Sequence, residues 1–129
     1  MACPRRVLVI EDNVDLAGSL GDVLALHGLS VEIAYDGAAG IELARAIMPQ
    51  AIVCDLGLPL VDGLDVARTL RRDPQLASVW LIAYSAACER AEAALAAGFD
   101  RFLRKPGDPA AIARLLAGCR PQGVHSVPP

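Results

Sequence analysis

A chain of 129 residues, 54% of them hydrophobic, carries enough apolar material for one compact core and too little length for a second domain. A net charge of -3, with no basic run longer than the doublet Arg71-Arg72, excludes a nucleic-acid-coating surface, and no apolar stretch approaches a membrane span. Four cysteines, Cys3, Cys54, Cys88 and Cys119, include no C-x-x-C pair, and the N-terminus lacks a signal-peptide core; both point to reduced thiols in a soluble cytoplasmic protein and against a zinc site.

Along the chain, short apolar runs alternate with helical stripes. Val7 to Ile10 is a continuous β-branched run, the pattern of a strand covered on both faces. Leu16, Leu20, Val23, Leu24 and His27 follow at the spacing of one helix face. Val31 to Ala34 alternates like an edge strand. Asp36-Gly37 opens a second helix with the stripe Ala39, Leu43, Ala46 and Ile47, which Pro49 ends. Ala51 to Cys54 is a third strand, and Gly63 to Arg72 a helix with Val66, Ala67 and Leu70 inward and its arginines outward. Val79 to Tyr84 is a fourth strand, a helix spans about Ala87 to Ala97, and Arg101 to Leu103 forms a fifth strand. Asp108-Pro109 is a helix start, with Asp as N-cap and Pro at the first helical position; that helix buries Ile112, Leu115, Leu116 and Cys119. Five strand-then-helix repeats predict an α/β fold, a doubly wound five-stranded parallel sheet of flavodoxin-like order 2-1-3-4-5. Residues 119–129 read as a mobile tail.

In such a sheet the strand ends share one edge, which gathers Glu11 and Asp12, Asp55, Ser85 and Lys105. Each has an ordinary alternative: acids and serines after strands cap helices, and a lysine there is usually a solvated charge. Together they form a chemical set. Converging carboxylates repel unless a cation lies among them, and hard oxygen donors suit Mg²⁺. Lys105 is the only lysine beside eleven arginines, as expected where a compact ammonium rather than a planar fork is needed. A carboxylate can attack phosphorus to give a labile acyl phosphate, and positioned cations and hydroxyl donors supply most of the stabilisation.

These residues resemble the receiver domain of two-component response regulators over about residues 5–118. The motifs are Glu11-Asp12-Asn13; Asp55 with Leu58-Pro59 and Asp62-Gly63 behind it; Ser85-Ala86; and Lys105-Pro106. The resemblance implies that Asp55 is the phosphoacceptor, and that Asp12, Asp55 and the Gly57 carbonyl bind Mg²⁺ with Glu11 acting through water. It implies that Ser85 and Lys105 hold phosphoryl oxygens, that the Lys105-Pro106 peptide is cis, and that Phe102 is the aromatic switch. The partners implied are a histidine kinase or phosphotransfer protein and a downstream protein target; the domain is a signalling module, not an enzyme.

Two departures stand out. Phe102 replaces a frequent tyrosine, so any switch there rests on packing, and Phe102 also reads simply as an edge-strand residue. The Ser85-to-Lys105 connection is about two residues shorter than the family's, with the loss before the fourth helix. Gly57 reads as a turn residue or as an opening for water beside Asp55. Cys54 reads as a buried strand residue, Trp80 and Tyr84 as core, and neither His27 nor His125 has a partner at ligand spacing. The rival readings are a receiver segment of a hybrid kinase, a pseudo-receiver that only binds a partner, and an aspartate-based phosphatase, whose second Asp is replaced by Gly57. Met1 close to the first strand and the Pro-ended tail favour a free-standing protein. The acidic turn after Ile10 does not suit a dinucleotide or P-loop site.

Overall fold

Alternation along β1 (Arg6–Ile10) sends Val7 and Val9 to one face of a sheet and Leu8 and Ile10 to the other, and all four are buried. The computed structural model in which this is seen describes residues 5–118. The expected tail 119–129, with Cys119 and His125, lies outside the described residues, as does Cys3. After β1 come α1 (Val14–Leu26), β2 (Ser30–Ala34), α2 (Gly37–Ile47), β3 (Ala51–Cys54), α3 (Gly63–Arg72), β4 (Trp80–Ser85), a single 3-10 turn (Cys88–Arg90), α4 (Ala91–Ala97), β5 (Arg101–Arg104) and α5 (Pro109–Ala117). The strands lie parallel in the order β2-β1-β3-β4-β5, so the chain crosses over with helices on both faces.

Two apolar layers result. One packs Leu8, Ile10, Ile52, Leu81 and Ala83 under α2, α3 and α4; the other packs Val7, Val9, Val53, Trp80, Ile82 and Tyr84 under α1 and α5. The edge strands β2 and β5 are only half covered, so they alternate or turn polar where β1 from Val7, β3, and β4 as far as Tyr84 are apolar.

Helix orientation differs from the expectation in several places. On α1 the buried residues are Ala17, Leu20, Gly21 and Leu24, while His27 is an exposed cap whose Nδ1 lies 3.0 Å from the Val23 carbonyl oxygen. On α2 Gly37, Gly40 and Ala44 face the sheet, and Ala39 and Ala46 face outward. The physical reason is close approach: a β carbon on Gly40 would lie 2.5 Å from Ile10 Cδ1. Bulk marks the inward face poorly where a helix must sit this near a strand. The expected helix from Ala87 divides into the 3-10 turn and a seven-residue α4. On α5 Asp108 caps Ala110 N at 2.9 Å, and Ile112, Ala113 and Leu116 are buried with Leu115 half-buried.

Arg71 is the clearest reversal. It points inward, donating from Nε to Gly98 O (2.9 Å), from one terminal nitrogen to Ala77 O (2.9 Å) and Val79 O (2.6 Å), and from the other to Asp100 Oδ2 (3.1 Å). Asp100 Oδ2 also accepts from Leu81 N at 2.9 Å, and its side chain is 1% exposed. One guanidinium thus joins the end of α3 to the entries of β4 and β5, a role that its planar fork of donors allows. Replacing Arg71 by Met leaves a buried carboxylate without this partner and should cost about 3 kcal/mol in urea denaturation, with Arg71→Lys recovering less than half; a loss below about 1 kcal/mol would contradict this role.

Candidate functional site

Four of the five strands, β1, β3, β4 and β5, end at or just before a residue of the site, and the sheet's hydrogen bonds continue past the strand ends to hold it. Glu11 N donates to Ala34 O (3.0 Å), Asp55 N to Ile10 O (3.0 Å) and Lys105 N to Ser85 O (3.0 Å). The register is therefore fixed at the residues that carry the charge.

The structure brings together Glu11, Asp12, Asp55 and Lys105, and places Ser85 at the end of β4 with its carbonyl bonded to Lys105 N. One carboxylate oxygen from each of Glu11, Asp12 and Asp55 lies within 4.8 Å of the others. Lys105 Nζ donates to Glu11 Oε1 at 2.7 Å and lies 3.3 Å from Asp55 Oδ2. Glu11 is buried, and its second oxygen accepts from Asn13 N at 3.1 Å. Burial pushes the Glu11 carboxyl above its ordinary value, against the hydrogen bond from Lys105. Burial also disfavours the Lys105 ammonium, but Glu11 and Asp55 outweigh it and hold Lys105 above its ordinary value. Three negative charges against one positive leave two negative charges at the site, which suits a divalent cation with oxygen ligands.

Ser85 is buried, and its Oγ accepts from Ala87 N at 3.1 Å. The Lys105-Pro106 peptide is cis. Phe102 pairs with Ala83 across the sheet and rests half-buried against the α3 and α4 layer. Gly57 donates to Asp55 Oδ1 at 3.4 Å and is exposed. Its φ is not positive, so the turn reading is corrected: the backbone there does not require glycine. An added β carbon would meet nothing within 4 Å, which leaves the flank of Asp55 open to water. The glycine that the loop does require is Gly63, where a β carbon would run into the Asp55 carbonyl oxygen. Cys54 is fully buried, and burial pushes its thiol well above the ordinary value, with Asp55 adding to the effect; it stays a protonated strand residue.

Two neighbours of the site were given no role in it by the sequence. Arg90 grips both oxygens of Asp62 (3.0 and 2.6 Å), tying the turn after β4 to the N-cap of α3 across 28 residues. Tyr84 packs behind Lys105, with the ammonium 5.4 Å from its ring centre. An aromatic directly before Ser85 was a visible signal, but reading it as core left out what it touches.

A family pattern described as "Response regulator receiver domain" matches residues 7–117, and the chain belongs to that family. It is 39% identical over 118 residues to the response regulator MprA of Mycolicibacterium vanbaalenii, covering 91% of this chain and 49% of that protein. The chain thus spans about half the length of the curated relatives it matches. Among solved structures it superposes on the receiver domain of the sensor histidine kinase PA1611 of Pseudomonas aeruginosa, which holds a magnesium ion in its active-site cleft, at TM-score 0.80 and 29% identity over 87% of this chain and 93% of that one. The chemotaxis response regulator CheY4 of Vibrio cholerae shares the fold, at TM-score 0.82 and 22% identity over 87% and 95%. The chain is a receiver domain of two-component signalling, and no helix among its described residues is long and apolar enough to cross a membrane.

The Arg90 pair has a pH signature. Two hydrogen bonds from Arg90 hold the Asp62 carboxyl below its ordinary 3.8. A depressed carboxyl stabilises the fold above that ordinary value, and the contribution is lost as pH falls through the lowered folded value. Arg90→Ala should therefore be less stable than the parent near neutral pH, by under about 1 kcal/mol because the pair is solvent-screened. The difference should vanish in urea titrations at pH below the folded value; a gap that persists there would reject the linkage.

Proposed function

We propose that Asp55 accepts a phosphoryl group from a histidine kinase or histidine phosphotransfer protein, and that the resulting acyl phosphate changes which protein this surface binds. The observation that carries the reading is the Lys105 ammonium lodged between Glu11 and Asp55, 2.7 and 3.3 Å from their oxygens. In the transfer an Asp55 oxygen attacks phosphorus, the bond from phosphorus to the donor imidazole nitrogen breaks, and the histidine takes up a proton. Lys105 neutralises charge growing on the phosphoryl oxygens, and the Ser85 hydroxyl, released from Ala87 N, turns to donate to one of them. Water reaching phosphorus past Gly57 returns Asp55 to its carboxylate and releases phosphate.

A magnesium ion held by Asp12, Asp55 and the Gly57 carbonyl, with Glu11 acting through water, would neutralise the remaining charge and orient the phosphoryl oxygens. The chain acts as a cytoplasmic signalling module over residues 5–118. Ser85 moving leaves space beside Phe102, and the face of α4, β5 and α5 carries the change outward; there a groove of about 280 Å³ is lined by Tyr84, Leu103, Ile112 and Leu115. The likeness to a kinase-borne receiver favours a second reading, that the chain works as the receiver segment of a hybrid kinase.

Incubation with Mg²⁺ and acetyl phosphate should add one phosphoryl group, seen by mass spectrometry of the intact chain, and the adduct should be absent in Asp55→Asn and after chelation. No adduct at saturating donor would overturn the proposal. Lys105→Arg keeps the charge but cannot fit a planar fork between the two carboxylates, so its phosphorylation should be slower by about tenfold or more; an unchanged rate would return Lys105 to a surface charge.

A further inference from the structure

We infer that Tyr84 is a positioning residue for Lys105, its ring forming the seat that aims the ammonium at Glu11 and Asp55. The inference rests on the reading of that pair as part of a phosphoryl site and adds a residue to it.

The geometry follows from the sheet. Tyr84 pairs with Leu103, and both belong to the layer under α1 and α5; Lys105, two residues further along, leaves the backbone on that same side. Its stem must then pass over the end of β4 to reach oxygens on β1 and β3. Tyr84 lies beneath that path, with Nζ 5.4 Å from the ring centre, within the range where the negative face of an aromatic ring attracts a cation. A long flexible side chain has little reason to hold one rotamer unless something fixes it, and here the ring below and the carboxylates ahead do so.

The ring is itself held. Tyr84 is 3% exposed, and its hydroxyl oxygen accepts from Gly107 N at 3.0 Å, two residues beyond the lysine. Gly107 closes against the ring so tightly that a β carbon there would lie 3.2 Å from Cε1 and 3.3 Å from the hydroxyl. The Lys105-Pro106-Gly107 segment and Tyr84 therefore form one packed unit, and Tyr84 precedes Ser85, the hydroxyl on the opposite wall. An aliphatic side chain at position 84 fills the layer but offers neither a cation seat nor a tie to Gly107.

Lys105 is the only lysine in the chain, so protein grown with isotopically labelled lysine gives one side-chain Cε resonance to follow. In the wild-type chain and in Tyr84→Phe, which keeps the ring, the Cε protons should lie upfield of free lysine; in Tyr84→Leu the displacement should disappear. Phosphorylation of Asp55 by acetyl phosphate with Mg²⁺ should fall about fivefold in Tyr84→Leu and stay within about twofold in Tyr84→Phe. Should Tyr84→Leu fail to fold, Gly107→Ala pushes on the ring without replacing it and should diminish the upfield displacement and slow phosphorylation about twofold. An unchanged resonance and rate in Tyr84→Leu or Gly107→Ala, or a Phe variant as impaired as the Leu variant, would overturn the inference. A wild-type chain that takes no phosphoryl group defeats the acceptor reading instead, and the Cε displacement still decides whether Tyr84 holds the ammonium.

Discussion

The ammonium of Lys105 is the condition on which the acidic edge of this sheet rests. Glu11 is a carboxylate almost wholly removed from water, beside Asp55 and Asp12, and alone it would take up a proton rather than remain charged. A compact cation at 2.7 Å from one carboxylate and 3.3 Å from the next offsets part of their charge. The backbone serves the same end, since hydrogen bonds running past the strand ends leave the charged residues no freedom to slip in register. The remaining acidic groups form a cluster of oxygen donors of the kind that suits a divalent ion.

Coverage on both faces explains why the scaffold was easy to read. β1, β3 and β4 have no solvent side, so they appear as unbroken apolar runs, and crossovers of this length leave a parallel sheet as the economical arrangement. The helices were harder. On α1 Leu20 and Leu24 are buried where the stripe puts them, but on α2 Gly37 and Gly40 face the sheet because the backbone comes close there, and a reading that looks for larger side chains places Ala39 and Ala46 inward in their stead. Arg71 defied its charge for another reason: its partners are carbonyl groups of residues 77, 79 and 98 and the carboxylate of Asp100, which only the fold assembles.

The same division runs through the site. Glu11, Asp12, Asp55, Ser85 and Lys105 could be placed because each ends a strand, and a parallel sheet puts all such ends on one edge. Arg90 and Tyr84 could not be given their contacts in this way. Their partners lie 28 and 23 residues off for the hydrogen bonds, and each serves the site through a loop rather than a strand end. Gly57 shows the reverse case: of its two readings, turn residue and opening for water, the backbone does not require the first.

Trp80 opens β4 at the edge opposite the charged pocket, where it pairs with Ala51 and is buried with Val7, Leu29 and Leu116. From there to Ser85 the strand advances five residues, about 16 Å. It is the only tryptophan in the chain. Its emission therefore reports on the assembled sheet far from Asp55, while the sole lysine reports from the pocket. The chain thus carries one natural probe for its scaffold and another for its chemistry, and damage to either can be told apart without adding a label to the backbone.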